Sequence, residues 1–307
     1  MQHGINLMQT AKDSKKEQNR KTDPLFITDR ASGGVYYGGD QGWYSSNTRA
    51  FAGCGSVAGL NMLRILAHKY PEVFDDEKIS PDLRRLKDET LYKDEFVYLM
   101  SGIYRKMLVA EVPLIRKIYD GTTRTNKVFK VIPSSLGLSL SGFITGMLRY
   151  CRNQGLFLHV KAMPTAFSSY DRGLDFIREG LKNSGSVVIL TSLNRHPLKM
   201  YNGNSGELKN GYDSRKGVRS HFMTITGIVE GKDGEPPLIK LTTWGRVATV
   251  PYDRLNRSWQ KMRAFTSCLF YFTPVDSKSV VIKDMAGAYI VYAKALFRGL
   301  FGWMLKD

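Results

Sequence analysis

The sequence predicts an α+β fold, with helices in its first half and an antiparallel sheet in its second. Apolar residues recur at helical spacing as far as Cys151. Runs rich in β-branched and aromatic residues, separated by glycine turns, follow that point. This order, helices first and strands later, is typical of α+β proteins. With 307 residues, 42% hydrophobic and 24% charged, the chain is long enough to bury a sizeable core.

Three segments of the first half have helical periodicity. Pro71 is expected to end the first helix, and Pro113 is expected to end or kink the second. A serine, Ser139 or Ser141, is expected to cap the third. The segments cover residues 55–68, 96–108 and 139 or 141–151.

The second half contains one helical pattern and several strand patterns. A glycine turn over residues 231–234 favours antiparallel pairing of the strands on either side of it. A polar loop over residues 194–217 is long enough to suggest a functional role or mobility. The predicted helix covers residues 170–182, and the predicted strands cover residues 156–161, 186–191, 221–228, 238–244, 247–250 and 268–273.

The two ends of the chain differ in composition from its middle. Residues 1–30 are expected to form a mobile basic tail, and nothing in them looks like a secretory signal. No stretch reaches the roughly 18 uncharged apolar residues of a membrane span. Residues 276–307 are expected to form an amphipathic helix, interrupted by Lys294 and Arg298. Packing on the core and binding to a membrane surface or a partner both remain open for it.

Charge and cysteine content limit the partners and the compartment. The chain has 45 Lys and Arg residues against 28 Asp and Glu, a net charge of +17. That excess favours nucleic acid, anionic lipid or an acidic peptide, although a merely solvated basic surface would look the same. Cys54, Cys151 and Cys268 are too few and too scattered for a disulfide framework or a zinc site. Free thiols and no signal sequence predict a cytoplasmic protein.

Cys54 is the most informative residue of the chain. It lies between Gly53 and Gly55, at the start of the first predicted helix. The unsatisfied N–H groups of a helix N-terminus favour thiolate over thiol, and the glycines let the backbone approach an oxyanion closely. The alternative is a buried structural cysteine between small residues.

Two later segments could complete a catalytic site around Cys54. His221 opens an alternating β-branched run, which suits a general base on a strand, although a satisfied strand-start histidine would look the same. One predicted hairpin further on, the sequence reads Thr242-Thr243-Trp244-Gly245. That is where a group orienting the imidazole is expected.

Together these segments resemble the papain-like cysteine peptidase superfamily. The closer resemblance is to bacteriocin-leader-processing peptidases and their uncharacterised bacterial relatives. It includes the helix before Gly185 and the buried strand after it. The resemblance implies a papain-like domain over residues 31–275, with a helical insertion at about 75–135. In it, the N-terminal helix carrying Cys54 would pack on a C-terminal antiparallel sheet carrying His221.

The resemblance also implies the roles of individual residues. Cys54 would be the nucleophile, His221 the general base, Thr242 the residue that orients the imidazole, and Gln41 an oxyanion-hole amide. The family has Asn or Asp at the orienting position, whereas this chain offers Thr242 and Thr243, whose hydroxyls can accept the imidazole N–H but carry no charge. The family's oxyanion-hole glutamine would fall on Thr48; the nearest amides here are Gln41 and Asn47, and Gln41 is preferred.

Two functions follow as expectations. The first is a cysteine hydrolase that acts on peptide or amide bonds of a peptide or protein substrate. Deamidase or transglutaminase chemistry would use the same residues. The second is a catalytically weak or inactive scaffold that binds a partner or an anionic membrane surface through its basic surface and residues 284–307. No cofactor or metal is implied, and the charge leaves nucleic acid possible as a partner.

Overall fold

The α+β class is confirmed by the computed structural model of the chain. It describes residues 23–107, 109–119, 127–138, 140–165, 168–191, 198, 200–202, 221–232, 234–259 and 267–276. The α-helices of these ranges are α1 (Asn47–Ala52), α2 (Cys54–Lys69), α3 (Pro71–Phe74), α4 (Pro81–Arg84), α5 (Lys93–Lys106), α6 (Leu140–Asn153), α7 (Tyr170–Ser184) and α8 (Tyr252–Trp259). The strands are β1 (Phe26–Thr28), β2 (Val35–Tyr37), β3 (Leu91–Tyr92), β4 (Val109–Tyr119), β5 (Lys127–Leu138), β6 (Leu158–Pro164), β7 (Val187–Thr191), β8 (Tyr201–Asn202), β9 (His221–Val229), β10 (Leu238–Thr243), β11 (Arg246–Pro251) and β12 (Cys268–Pro274).

The main sheet carries the strand that begins with His221. Its strand order is β6-β12-β7-β9-β10-β11-β8, and each neighbouring pair is antiparallel. Within it, Leu190 of β7 lies opposite Phe222 of β9, and Thr191 lies opposite His221. A smaller sheet has the order β2-β1-β3, and β4 and β5 form a two-stranded antiparallel ribbon.

Helices cover both faces of the main sheet, which explains why β7 is apolar throughout. Val188 and Leu190 belong to a core shared with α2, α5 and α6. Val187 and Ile189 belong to a second core shared with α7 and α8. Alternate side chains of a strand point to opposite faces, so a strand covered on both sides needs apolar residues at every position. His221 lies at one end of this buried layer.

Helix α2 packs against β9 and carries Cys54 at its first position. Its residues from Cys54 to Ala67 are all buried. The Thr224 hydroxyl of β9 donates a hydrogen bond to the Ala58 carbonyl oxygen of α2 over 3.2 Å. The helix predicted over residues 55–68 is therefore present and lies against the sheet.

The arginine of α2, Arg64, is buried completely and anchors the N-terminal segment. Its guanidinium donates to the carbonyl oxygens of Pro24, Leu86, Asp88 and Glu89. Burial lowers its pKa to about 10. Because four carbonyl groups share the five donors of one guanidinium, α2 is tied to two other chain segments at a single point.

Two of the expected boundaries are corrected by the structure. Residues 23–30, predicted as part of a mobile tail, instead belong to the fold, because Leu25 and Ile27 are buried and β1 pairs with β2 and β3. The predicted helical insertion is helical only as far as Lys106 and then becomes the β4–β5 ribbon. Residues rich in Val and Ile favour strands over helices there.

Several expectations fall on parts of the chain that lie outside the described residues. These are residues 1–22 of the predicted tail, most of the polar loop over 194–217, and residues 277–307 with the predicted C-terminal helix. Within the described ranges, no helix has both the length and the apolar character that crossing a bilayer requires.

Candidate active site

Gly53 is the residue between α1 and α2, and it places Cys54 at the first position of α2. It separates α1 from α2 and caps α2 without a side chain. A Cβ atom at this position would overlap the Tyr44 ring and the Arg49 carbonyl oxygen. The close approach therefore requires glycine, and the thiol is held at a helix N-terminus, as the sequence predicted.

Burial nevertheless works against ionisation of the Cys54 thiol. Only 8% of the residue is exposed, and it packs in the core cluster that contains Val57 and Phe222. Burial raises the pKa of the thiol, although the backbone N–H groups of Phe222, Gly55 and Cys54 lower it. This corrects the expectation of a thiolate, because desolvation outweighs the helix N-terminus here.

His221 is fixed by contacts on several sides. Its Nε2 atom lies 2.7 Å from the Thr243 hydroxyl oxygen, and its ring stacks on Trp244 with centroids 4.4 Å apart and planes 12° apart. Its backbone N–H donates to the Thr191 hydroxyl over 3.3 Å. Burial lowers the pKa of the imidazole to about 3, so the ring is neutral at physiological pH.

The residue that contacts the imidazole is Thr243, which corrects the expected Thr242. The Thr242 hydroxyl donates instead to the Tyr37 carbonyl oxygen over 2.6 Å. Strand register explains the difference, because Thr242 pairs with Thr224, so both point towards α2. Thr243, one residue on, points to the other face of the sheet and shares it with the His221 ring.

Trp244 reaches the imidazole through an unusual backbone conformation. It has φ +49°, and Gly245 after it has φ +69°, so two left-handed residues connect β10 to β11. A non-glycine residue pays about 1–2 kcal/mol for that conformation. Two backbone hydrogen bonds hold the turn, from Tyr37 N–H to the Gly245 oxygen and from Gly245 N–H to the Gly39 oxygen, both 2.9 Å.

Gln41 lies close in sequence and space to the helix that precedes Cys54. It starts a short 3-10 turn, Gln41–Trp43, capped by the Asp40 carboxylate. Its Nε2 atom donates to the Ala50 carbonyl oxygen of α1 over 2.8 Å. One amide hydrogen is thus committed to α1, and the oxyanion role of Gln41 stays a prediction.

The Cys54 sulfur lies near the start of β9, the strand whose first residue is His221. The Phe222 N–H that points at the sulfur belongs to the residue directly after His221. The thiol approaches the β9 backbone from the α2 side, whereas the ring lies on the side of Thr243. Among the described residues, no hydrogen bond joins the sulfur to the imidazole.

Sequence reasoning located the block that contains Thr243 and Trp244 but missed Asn61. Thr243 and Trp244 hold the His221 ring, and Asn61 of α2 is a buried amide that accepts a hydrogen bond from the Gly39 N–H. A polar residue inside the apolar pattern of α2 was the available signal for Asn61. In the ranges that the structure describes, no group of three or more His, Cys, Asp or Glu residues could hold a metal ion.

Comparison with known proteins gives no relative for this chain. No protein-family model, no curated protein and no solved structure matches it. The papain-like resemblance therefore depends on the residues quoted above, and the function must be argued from the site itself.

Proposed function

We propose that the protein is a cysteine hydrolase acting on peptide or amide bonds, with Cys54 as nucleophile and His221 as general base. The observation that supports it best is the Cys54 sulfur at the N–H of Phe222, one residue from an imidazole held by Thr243 and Trp244. A nucleophile, a base and a group that orients the base are the parts this chemistry needs.

The resting pair in this proposal is neutral. Burial keeps the Cys54 thiol protonated and the His221 ring unprotonated. General-base catalysis, in which the proton leaves the sulfur as the sulfur attacks, fits such a pair better than a preformed thiolate–imidazolium pair. Catalytic hydrogen bonds can form or shorten when substrate binds, and the proposal requires a Cys54–His221 hydrogen bond to form then, because none joins them among the described residues.

The proposed reaction has two steps. Nε2 of His221 carries the ring proton towards Thr243, so Nδ1 accepts the thiol proton while the sulfur bonds to the amide carbon. The carbon–nitrogen bond then breaks, the amine leaves with that proton, and an acyl thioester remains on Cys54. Water, deprotonated by the same imidazole, hydrolyses the thioester and restores the thiol.

The start of α2 suits the charge that develops on the substrate oxygen. The N–H groups of Cys54 and Gly55 lie in the first turn of a helix whose cap, Gly53, supplies no side-chain acceptor. Such groups stabilise an oxyanion without reorganising. The remaining amide hydrogen of Gln41 is the proposed second donor.

The test is the reactivity of Cys54 relative to the other two thiols of the same chain. Cys151 and Cys268 are buried, and burial raises the pKa of both, so they serve as internal controls. After brief iodoacetamide treatment of the native protein at pH 7, peptide mass mapping should show Cys54 labelled first. A His221→Ala variant should slow that labelling, whereas His159→Ala, on β6, should not. Labelling of Cys54 no faster than Cys151 and Cys268 would refute the hydrolase.

A catalytically silent scaffold is the second candidate. The low exposure of Cys54, its raised pKa and the uncharged hydroxyl at Thr243 favour it. Its basic surface, with a net charge of +17, would then bind an anionic membrane. Flotation of the full chain with anionic but not neutral vesicles, together with an unreactive Cys54, would support this candidate over the hydrolase.

A further inference from the structure

We propose that Asn61 is a positioning residue for His221, acting through the loop Tyr37–Gly39 and the Trp244–Gly245 turn. The inference deepens the proposed function and rests on it for the role of His221 as a base. Helix α2 then has two roles. It carries Cys54, and it holds the loop Tyr37–Gly39, which supports the turn that contacts the imidazole.

Asn61 is a polar side chain in an apolar helix. Only 1% of it is exposed, two turns after Cys54 on α2. Its Oδ1 atom accepts a hydrogen bond from the Gly39 N–H over 3.0 Å. Its Nδ2 atom has no partner within the described part of the chain. A buried amide with an unpaired donor lowers the stability of the fold. We therefore look for the role of Asn61 in its one hydrogen bond, to Gly39.

That bond connects α2 to the turn that holds the imidazole. Gly39 accepts from the Gly245 N–H, Tyr37 donates to the Gly245 oxygen, and the Tyr37 oxygen accepts from Thr242. Three bonds thus fasten the loop Tyr37–Gly39 to the end of β10 and the turn after it, and Asn61 fastens the loop to α2.

Close packing makes the same connection. Gly38 has φ +74°, and a Cβ atom there would overlap the Thr242 hydroxyl oxygen and lie 3.0 Å from Asn61 Nδ2. The loop therefore lies directly between α2 and β10. A methyl group at Gly38 would displace the loop by pressing on both Thr242 and Asn61, which gives a second perturbation of the same connection without removing the Asn61 amide.

The turn needs such support because Trp244 is left-handed. Strained backbone persists where the surrounding structure over-determines it. When the loop is loosened, the turn is expected to relax and Trp244 to leave the His221 ring. Water then reaches the imidazole. The protonated fraction of the His221 ring at a given pH therefore reports whether the ring is still covered.

The experiment follows the His221 ring by ¹⁵N NMR between pH 4 and pH 7, with the signals assigned from the His221→Ala variant. Asn61→Ala is compared with Thr224→Val, which also removes one buried hydrogen bond between α2 and the sheet. Asn61→Ala should raise the protonated fraction of the ring at pH 5 by at least about fivefold, because a hydrated imidazole returns towards its ordinary pKa. Thr224→Val should leave it unchanged.

The second pair of variants keeps the test decisive if Asn61→Ala fails to fold. Gly38→Ala should also raise the protonated fraction, whereas Gly34→Ala, in the same segment but away from Thr242, should not. A His221 ring that titrates in Asn61→Ala as it does in Thr224→Val, or in Gly38→Ala as it does in Gly34→Ala, overturns the inference.

The NMR result separates this inference from the proposed function. If Cys54 proves unreactive while Asn61→Ala still shifts the His221 titration, the hydrolase fails and the positioning role of Asn61 stands. If Cys54 reacts with the help of His221 but Asn61→Ala leaves the ring unchanged, only the positioning role fails.

Discussion

Replacing Thr243 by valine tests which of two adjacent threonines orients the imidazole. Thr243→Val keeps the shape of the side chain but removes the hydroxyl that lies 2.7 Å from His221 Nε2. Leaving a buried polar partner unpaired costs about 1–3 kcal/mol. If the whole cost falls on the orientation of the base, the reaction at Cys54 should slow by about fivefold to 150-fold.

Thr242→Val is the matched control for that variant. It removes the 2.6 Å bond to the Tyr37 oxygen, which is as well buried, so both variants should lose a similar amount of stability. At about 2–4 °C per kcal/mol for a chain of this size, each melting temperature should fall by about 2–12 °C. The two backbone bonds to Gly245 remain in Thr242→Val, so its effect on the His221 ring should be much smaller.

The assay combines the rate of Cys54 alkylation at pH 7 with the melting temperature of each variant. Equal losses of stability with a slower reaction only in Thr243→Val would support the orientation read from strand register. Thr242→Val slowing Cys54 as much as Thr243→Val, or more, would refute it and favour the assignment that the papain-like resemblance implies.

Two further predictions concern stability. His221 stays neutral in the fold down to a pKa of about 3, whereas the unfolded chain takes up its proton near pH 6.5, so stability falls as pH drops between these values. The free energy of unfolding, measured with urea at several pH values, should rise less steeply with pH in His221→Gln than in the unmodified protein, by up to about 1.4 kcal/mol per pH unit. An unchanged pH dependence would contradict the burial of the ring. Arg64→Met leaves buried carbonyl groups unpaired and should lower the free energy of unfolding by about 3 kcal/mol or more. Arg85→Met loses only an exposed ion pair to Glu95 and should lower it by under about 1 kcal/mol. Equal urea midpoints for the two arginine variants would contradict this account of Arg64.

Regular periodicity allowed much of the fold to be predicted. The apolar spacing of α2, α6 and α7 located these helices to within a residue or two, and the unbroken apolar run of β7 predicted a buried strand, which the structure covers on both faces. The β4–β5 ribbon and β1 were missed. The ribbon falls in the predicted helical insertion and β1 in the predicted tail, although β4 pairs with β5 and β1 with β2 over short separations. Only the pairing of β1 with β3 joins distant segments, and strand preference depends strongly on such tertiary context.

The sequence alone determined which chemical groups are available and their order along the chain: a cysteine opening a helix, a histidine opening a strand, and a Thr-Thr-Trp-Gly block after it. Tertiary structure decided which threonine meets the imidazole. A register shift between Lys240 and Leu241 sets the face on which each side chain of β10 ends, and a one-residue change exchanges the two faces.

Tertiary structure also decided the ionisation of Cys54 and His221. A helix N-terminus favours a thiolate, and that much is written in the residues around Cys54. The packing of α2 against β9 removes water from the Cys54 sulfur, Trp244 covers the His221 ring on the other side of β9, and desolvation favours the neutral form of each. Solvent exclusion comes from the whole fold, so no local stretch of sequence could have revealed it.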